Sequence, residues 1–169
     1  VRHAGGGITQ IGVWAGRALD AAQPIVDLFN AAGLETELVN DIKPLIWNKL
    51  LVNVGINAIT ALTGITNGQI LDLEATRELC RMAVEEAESL ARERGVPVMD
   101  NAVEHVFEIA SATSANRSSM GQDVDHQRLT EIGMMNGKVA ELAKEMGRSA
   151  PVNFALSALI ETLQAHYRR

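Results

Sequence analysis

The sequence predicts a mainly α-helical protein in which a short β-α-β segment precedes six helices. From Ile42 onward, apolar residues recur at helical spacing. Aromatic residues make up only 4% of the chain and hydrophobic residues 47%, which is typical of helical packing and not of large sheets. Gly95 and Gly147 each end a helical pattern, and Pro97 and Pro151 follow shortly after them.

The first part of the chain predicts the β-α-β segment. Ile8–Trp14 alternates apolar and polar residues after the turn Gly5-Gly6-Gly7, which favours a strand. Ala18–Ala32 has helical spacing and stops at Gly33, and Glu35–Val39 favours a second strand. So small a segment cannot stand alone. We therefore interpret residues 1–40 as the end of a sheet domain and residues 41–169 as a helical domain.

The helical domain is predicted to contain six helices. They span Ile42–Thr63, Glu74–Arg94, Asp100–Ala115, Ser119–Arg128, Thr130–Met146 and Pro151–His166. The second of these has a charged face and an Ala/Leu/Met face, as expected of a helix that packs on a core. It also carries Cys80, which we interpret as a small buried hydrophobic residue.

Charge and composition exclude several classes of function. The formal net charge is -6, and the only run of basic residues is Arg168-Arg169, so we expect neither a nucleic acid nor a membrane as partner. Four histidines are scattered along the chain, so we expect no metal site. A single cysteine allows no internal disulfide and fits a cytoplasmic location. The chain begins at Val1 without methionine, from which we expect a piece of a longer protein.

A stripe of polar residues interrupts the apolar pattern of the first long helix. Lys49, Asn53 and Asn57 recur every four residues, and such positions drift only about 40° per step around a helix. Burying amides or an ammonium without partners costs a few kcal/mol each, so the stripe needs polar groups opposite it. Two interpretations stay open: a functional site, or an Asn53–Asn57 hydrogen bond with Lys49 reaching water.

A second polar cluster lies at residues 116–123 and continues at Thr130 and Glu131. Ser119 and Gln122 have the spacing of a capping box, and Thr130 before Glu131 resembles a helix N-cap followed by an acid, so both have a structural interpretation. Together with the stripe, however, the set contains Lys, Asn, Asn, Ser and Glu. Such a set can hold a small polar anion and transfer one proton, because a partly buried lysine can protonate a developing alkoxide.

Three ordered motifs resemble the ketopantoate reductase (2-dehydropantoate 2-reductase) family. They are W-N-K-L-L-V-N-V-G-I-N-A-I-T-A-L-T-G-I-T-N-G at residues 47–68, followed by S-S-M-G-Q-D-V and T-E-I-G-M-M-N-G. The later G-R-S-A-P-V-N resembles the start of that family's closing helix. The resemblance implies an all-helical C-terminal domain of the 6-phosphogluconate-dehydrogenase-like type after a β-α-β remnant of a Rossmann domain. It further implies NADP(H) as cofactor, bound by a glycine-rich fingerprint that this chain lacks, and reduction of 2-dehydropantoate to (R)-pantoate, a step toward coenzyme A.

The same resemblance implies the roles of single residues. Lys49 matches the catalytic lysine that gives its proton to the ketone, and Glu131 matches the glutamate beside that lysine. The family's substrate-binding residues, which hold a small 2-oxo acid, match Asn53, Asn57, Asn67 and Ser119. No cofactor-binding residue is identified, and a homodimer is kept as one candidate assembly.

Two positions depart from the family pattern, and two alternative functions stay open. Gly133 stands where relatives commonly have Asp, and Gly121 stands where a larger apolar residue is usual. A different branched 2-oxo acid is therefore one alternative substrate. The other alternative is a helical dimerisation or interaction module that keeps the scaffold without the chemistry. We expect the isolated fragment to be inactive.

Overall fold

The computed structural model describes residues 7–14 and 19–167. The chain divides into two compact units, Val1–Ile46 and Trp47–Arg169. Parts of three predicted features lie outside the described residues: Gly5 and Gly6 of the glycine turn, Ala18 at the start of the first helix, and the terminal pair Arg168-Arg169.

The first unit has the predicted β-α-β order. Strand β1 spans Thr9–Gly12, helix α1 spans Leu19–Ala31, and strand β2 spans Thr36–Val39. The two strands pair in parallel, with Thr9 opposite Thr36. The Asn30 side chain accepts a hydrogen bond from the Thr36 N–H at 2.9 Å and donates one to its carbonyl at 2.8 Å. These two hydrogen bonds fix the start of β2 beside the end of α1.

Six α-helices follow between Lys43 and Ala165 of the described chain, the number predicted. Their bounds are Lys43–Thr63 for α2, Glu74–Glu93 for α3, Ala102–Ala112 for α4, Ser119–Asp125 for α5, Asn136–Glu145 for α6 and Pro151–Ala165 for α7. Two short 3₁₀ turns, Gly68–Leu71 and Ile132–Met134, lie between them and were not predicted. Gly95 and Gly147 have φ of 71° and 69° just after α3 and α6, which confirms them as helix stops.

The predicted helix Thr130–Met146 is wrong, because the structure divides it. A 3₁₀ turn ends at Met134, and Met135 leaves the helical region with φ -109° and ψ -102°. Asn136 then begins α6 with its side chain in the core, where its amide donates to the Val54 carbonyl at 3.2 Å. Helix α5 also ends at Asp125, earlier than predicted, because Gln127 takes a left-handed φ of 53°.

Helix α2 is the core helix of the second unit. Every residue from Val54 to Ala61 is buried. A Cβ atom at Gly55 would lie 2.8 Å from Val84 Cγ2 and 3.0 Å from Cys80 Sγ, so the glycine allows α3 to approach α2 closely. By length and composition α2 could cross a membrane, but 56% of its apolar window is buried inside the protein. That burial is typical of the core helix of a globular domain.

Candidate functional site

The polar stripe of α2 runs from the surface into the core. Lys49 is exposed, Asn53 is half-buried, and Asn57 is only 6% exposed. The gradient arises because α2 enters the core as it advances, while all three residues stay on one face of the helix. A small ligand at this face would meet a charged, wet end and an amide-lined, dry end. The partial burial expected for the lysine is absent, since Lys49 is exposed.

Most of the predicted site residues keep their polar groups free of internal hydrogen bonds. Within residues 7–14 and 19–167, the side chains of Lys49, Asn53, Ser119 and Glu131 form no hydrogen bond or ion pair with one another or with other residues. The structural alternative of an Asn53–Asn57 bond is therefore wrong. None of these four side chains therefore holds the described residues together through a hydrogen bond or an ion pair.

Asn57 has a weak partner. Its amide Nδ2 donates to Met135 Sδ at 3.8 Å, and a thioether sulfur is a poor acceptor. A nearly buried amide normally finds a stronger partner, because an unsatisfied buried donor costs about 1–3 kcal/mol. Asn57 is thus the member of the stripe with most to gain from a polar ligand. Its contact also places the segment after Glu131 against α2.

The two adjacent serines have different environments. Ser118 is the N-cap of α5: its hydroxyl accepts from the Gly121 N–H at 3.0 Å and lies 2.6 Å from the Thr60 hydroxyl. The capping box predicted for Ser119 and Gln122 is therefore wrong: the N-cap is Ser118, and Gly121, three residues later, has no side chain to complete a box. Ser119 is exposed in the first turn of α5, where it is available to a ligand.

Glu131 lies at the start of a 3₁₀ turn. It is the residue before Ile132–Met134, and its side chain is exposed. Thr130 does not cap a long helix as predicted. Instead its hydroxyl accepts from the Ile132 N–H at 3.3 Å, which bends the chain into the turn. The Thr130 N–H donates to the side-chain oxygen of Gln164 and so attaches the turn to α7.

Arg117 gives a steric reason for glycine at position 121, where the family pattern has a larger apolar residue. Its guanidinium donates to both carboxylate oxygens of Asp125 at 2.9 Å and to the carbonyls of Thr60 and Ile65 near the end of α2. A Cβ at Gly121 would lie 2.6 Å from Arg117 Nη1, so a larger residue would displace this group. The hydrogen bond from Arg117 lowers the pKa of Asp125. By contrast, a Cβ at Gly133 would meet nothing within 4 Å.

Asn67 is placed apart from the stripe. At 1.5 Å per residue, α2 carries the chain about 21 Å from Lys49 to its end at Thr63, and Asn67 lies beyond that end. Its Nδ2 donates to the Thr113 hydroxyl at 3.0 Å, and its N–H donates to the Asn116 carbonyl at 2.9 Å. These bonds join the loop after α2 to the loop after α4. The substrate-binding role of Asn67 stays a prediction.

Contacts on α2 bring two remote segments beside the buried end of the stripe. Asn57 contacts Met135, four residues after Glu131, and Thr60 contacts Ser118, next to Ser119. Met135 and Thr60 were missed from the sequence, although both fall inside the quoted motifs. The clefts described on the helical unit, of which the largest is about 530 Å³ beside Glu86 and Arg148, are lined by other residues. Convergence of the side chains of Lys49, Asn53, Asn57, Ser119 and Glu131 on one cavity is a prediction.

Cys80 has no features of a reactive thiol. It is fully buried, as predicted, and burial raises its pKa from 9.0 to about 12, although the charge of Arg81 partly offsets this effect. A thiolate is therefore not available near neutral pH, and nucleophilic chemistry at this residue is excluded.

Comparison with known proteins places these motifs in a family. Residues 41–164 match the family model "Ketopantoate reductase PanE/ApbA C terminal". The chain is 35% identical over 164 residues to the 2-dehydropantoate 2-reductase of Halobacterium salinarum, a match that covers 97% of the chain and 54% of the relative. The chain thus spans about half the length of the curated relatives it matches.

Solved structures have the same fold. A PanE/ApbA family ketopantoate reductase from Ralstonia eutropha superposes with a TM-score of 0.88 at 27% identity, over 97% of this chain and 53% of the other. A dimeric ketopantoate reductase from Staphylococcus aureus superposes with a TM-score of 0.81 at 25% identity, over 92% of this chain and 54% of the other. The helical unit and the β-α-β segment before it are therefore found together in this fold.

Proposed function

Since the chain belongs to the ketopantoate reductase C-terminal family, we propose that it is part of an NADPH-dependent enzyme that reduces 2-dehydropantoate to (R)-pantoate. This reaction belongs to pantothenate and coenzyme A biosynthesis, and we expect the enzyme in the cytoplasm. The helical unit carries the residues that bind the 2-oxo acid and protonate its ketone.

One observation carries the proposal: four of the six matched polar residues make no side-chain hydrogen bond within the described part of the chain. Lys49, Asn53, Ser119 and Glu131 make no side-chain hydrogen bonds among the described residues. The neighbouring serine does have such a role, since Ser118 caps α5. A protein that kept only the scaffold would have no physical need for these four residues, which we call the free set. Their presence supports an enzyme over an interaction module.

The residues of the free set suit reduction of a ketone. As the ketone is reduced, negative charge develops on its oxygen, and the ammonium of Lys49 both stabilises that charge and donates the proton. Glu131 orients the ammonium. The amides of Asn53 and Asn57 and the hydroxyl of Ser119 hold the hydroxyl and carboxylate oxygens of the substrate. Asn67 is a further candidate for substrate binding: its Nδ2 binds Thr113, but its buried Oδ1 has no partner among the described residues.

A nicotinamide cofactor, NADPH in this proposal, supplies the hydride when bound. The sequence has no G-x-G-x-x-G, and Gly5-Gly6-Gly7 precedes a strand and not a helix. The residues of this chain therefore do not fit the pyrophosphate, which needs N–H groups of a glycine-rich turn at a helix N-terminus. We assign binding of the pyrophosphate to a part of the enzyme outside this chain.

The proposed partners are a small 2-oxo acid and a second copy of the enzyme. The dimeric relative from Staphylococcus aureus supports the homodimer as a candidate assembly. The open space at Gly133 supports the second candidate substrate, a different branched 2-oxo acid, because the carboxylate common at that position is missing without a steric reason.

The test is a reductase assay on the full-length enzyme that contains this chain. Oxidation of NADPH should be fastest with 2-dehydropantoate among a panel of branched 2-oxo acids. A preference for another branched 2-oxo acid would replace the substrate and keep the reaction. No oxidation with any 2-oxo acid would contradict the proposed function and favour the interaction module.

A further inference from the structure

A polar network of two buried amides and one half-buried carboxylate contacts α2 at Val54, the residue after Asn53 of the stripe. It consists of Glu86 on α3, Asn136 at the start of α6 and Asn153 on α7. Asn136 and Asn153 are both 0% exposed. The amide of Asn136 donates to Asn153 Oδ1 at 2.9 Å and to the Val54 carbonyl on α2 at 3.2 Å. The network therefore connects four helices of one unit.

Its other end is anchored by a carboxylate. Glu86 accepts from the Val152 and Asn153 N–H groups at 2.9 and 3.0 Å, which belong to the first turn of α7, and from Asn153 Nδ2 at 2.8 Å. Asn153 Nδ2 also donates to the Ala83 carbonyl at 2.9 Å. Turning either amide around would bring oxygen against oxygen, so the acceptors fix the orientation of both amides.

The network is not needed to satisfy α2. Val54 lies inside the helix, where its carbonyl accepts the regular bond from four residues later, so the bond from Asn136 is additional. Apolar side chains of similar volume could fill this space without burying polar groups, and such replacements are often neutral for stability. Glu86 satisfies N–H groups of α7, but the bond from Asn136 to α2 provides something other than backbone satisfaction.

What it provides is the position of the segment that carries Glu131. Met135 and Asn136 are consecutive, and both contact α2: Met135 at Asn57 on the stripe, and Asn136 at Val54, which is adjacent to Asn53. These two contacts fix the 3₁₀ turn before them against the helix that carries Lys49.

We infer that Asn136 and Asn153 are positioning residues, which hold Glu131 in register with Lys49 and the asparagine stripe. The inference rests on the proposed function. Neither residue can touch the substrate, because both are fully buried. Without Asn136 or Asn153, every group of the free set is still present but is misaligned. A displacement of about 1 Å in a site can cost about 100-fold in rate.

The experiment compares Asn136→Ala and Asn153→Ala with Val106→Ala in the full-length enzyme. Val106 is also 0% exposed, but its apolar side chain packs near Gly55 and takes no part in the hydrogen bonds of the network, so it controls for lost stability alone. All variants are assayed below their melting midpoints. Asn136→Ala should lower kcat by about 10- to 100-fold and change the KM for the 2-oxo acid by less than about threefold. Val106→Ala should keep kcat within about twofold.

A second readout separates position from stability. With cofactor deuterated at the transferred hydrogen, the isotope effect on kcat should increase in Asn136→Ala, because the chemical step becomes slower, and should not change in Val106→Ala. If Asn136→Ala does not fold, Asn136→Ser retains one donor and takes its place. A normal kcat and isotope effect in a destabilised network variant would overturn the inference alone. A wild-type enzyme without 2-oxo acid reductase activity would overturn the proposed function as well.

Discussion

The hydroxyl oxygens of Thr60 and Ser118 lie 2.6 Å apart in the core, although the residues are 58 positions apart in sequence. The Thr60 hydroxyl lies 2.9 Å from the Ile56 carbonyl and donates there, so Ser118 donates to Thr60. Ser118 in turn accepts from the Gly121 N–H. Each hydroxyl thus donates and accepts once. The pair fixes the start of α5 on α2 and leaves Ser119 facing outward.

This arrangement predicts different effects for the two serines. Ser118→Ala should lower the free energy of unfolding by about 1–2 kcal/mol, because the cap and a buried hydrogen bond are both lost. Ser119→Ala should change it by less than about 0.5 kcal/mol. Urea denaturation of the two variants followed by circular dichroism measures both values. A larger loss for Ser119→Ala would mean that Ser119 is the structural serine.

The close contact at Gly55 predicts a destabilising alanine. Replacing glycine by alanine inside a helix normally raises the free energy of unfolding by about 1 kcal/mol, but overpacking lowers it by about 1–3 kcal/mol. At 2.8 Å from Val84 Cγ2 the new methyl group must displace its neighbours, so we expect Gly55→Ala to lower stability by up to about 2 kcal/mol. The double variant with Val84→Ala should lose less than the sum of the two single changes. Additive losses would mean that the two residues do not meet.

Burial of the Cys80 thiol predicts a stability that decreases at alkaline pH. Its pKa is about 12 in the folded protein and 9.0 without burial, so the unfolded chain releases this proton first as the pH rises. Stability is therefore unaffected below pH 9 and decreases between pH 9 and 12, by about 1 kcal/mol at pH 10. Urea denaturation at pH 8 and pH 10 should show this loss in the wild type and not in Cys80→Ala. Equal pH dependence in both proteins would contradict the assignment.

The sequence predicted the helices well where local signals decide them. Helix α3 begins at the predicted Glu74, and α3 and α6 end before Gly95 and Gly147, because a left-handed glycine is a local property of the chain. The fold class is confirmed by the helices, the parallel pair of strands and the superposed ketopantoate reductase.

Features decided by distant contacts were missed. The break at Met135 follows from bonds that join Asn57 to Met135 and Asn136 to Val54, about 80 residues away, which no local pattern contains. Likewise, the dipeptide Ser118-Ser119 offers two equal N-caps, and Thr60 selects between them. The candidate site residues were identified by resemblance and by the stripe, whereas the polar network that contacts α2 required the structure.

A further prediction concerns cofactor binding by the isolated chain. Its sequence lacks the G-x-G-x-x-G pattern that holds the pyrophosphate at a helix N-terminus, so we expect no measurable NADPH binding and no reductase activity. Isothermal titration calorimetry of the chain with NADPH tests this. Micromolar affinity would contradict the assignment of cofactor binding to another part of the enzyme.

The most direct test of the proposed site is the kinetics of Lys49→Ala, with Asn57→Ala as the comparison, in the full-length enzyme. The ammonium acts mainly on the charge of the transition state, so Lys49→Ala should lower kcat at least about 100-fold and leave NADPH affinity nearly unchanged. Asn57 holds substrate oxygens throughout the reaction, so its loss should chiefly raise the KM for the 2-oxo acid. A Lys49→Ala enzyme with near-normal kcat would contradict the account, because the proton would then come from elsewhere.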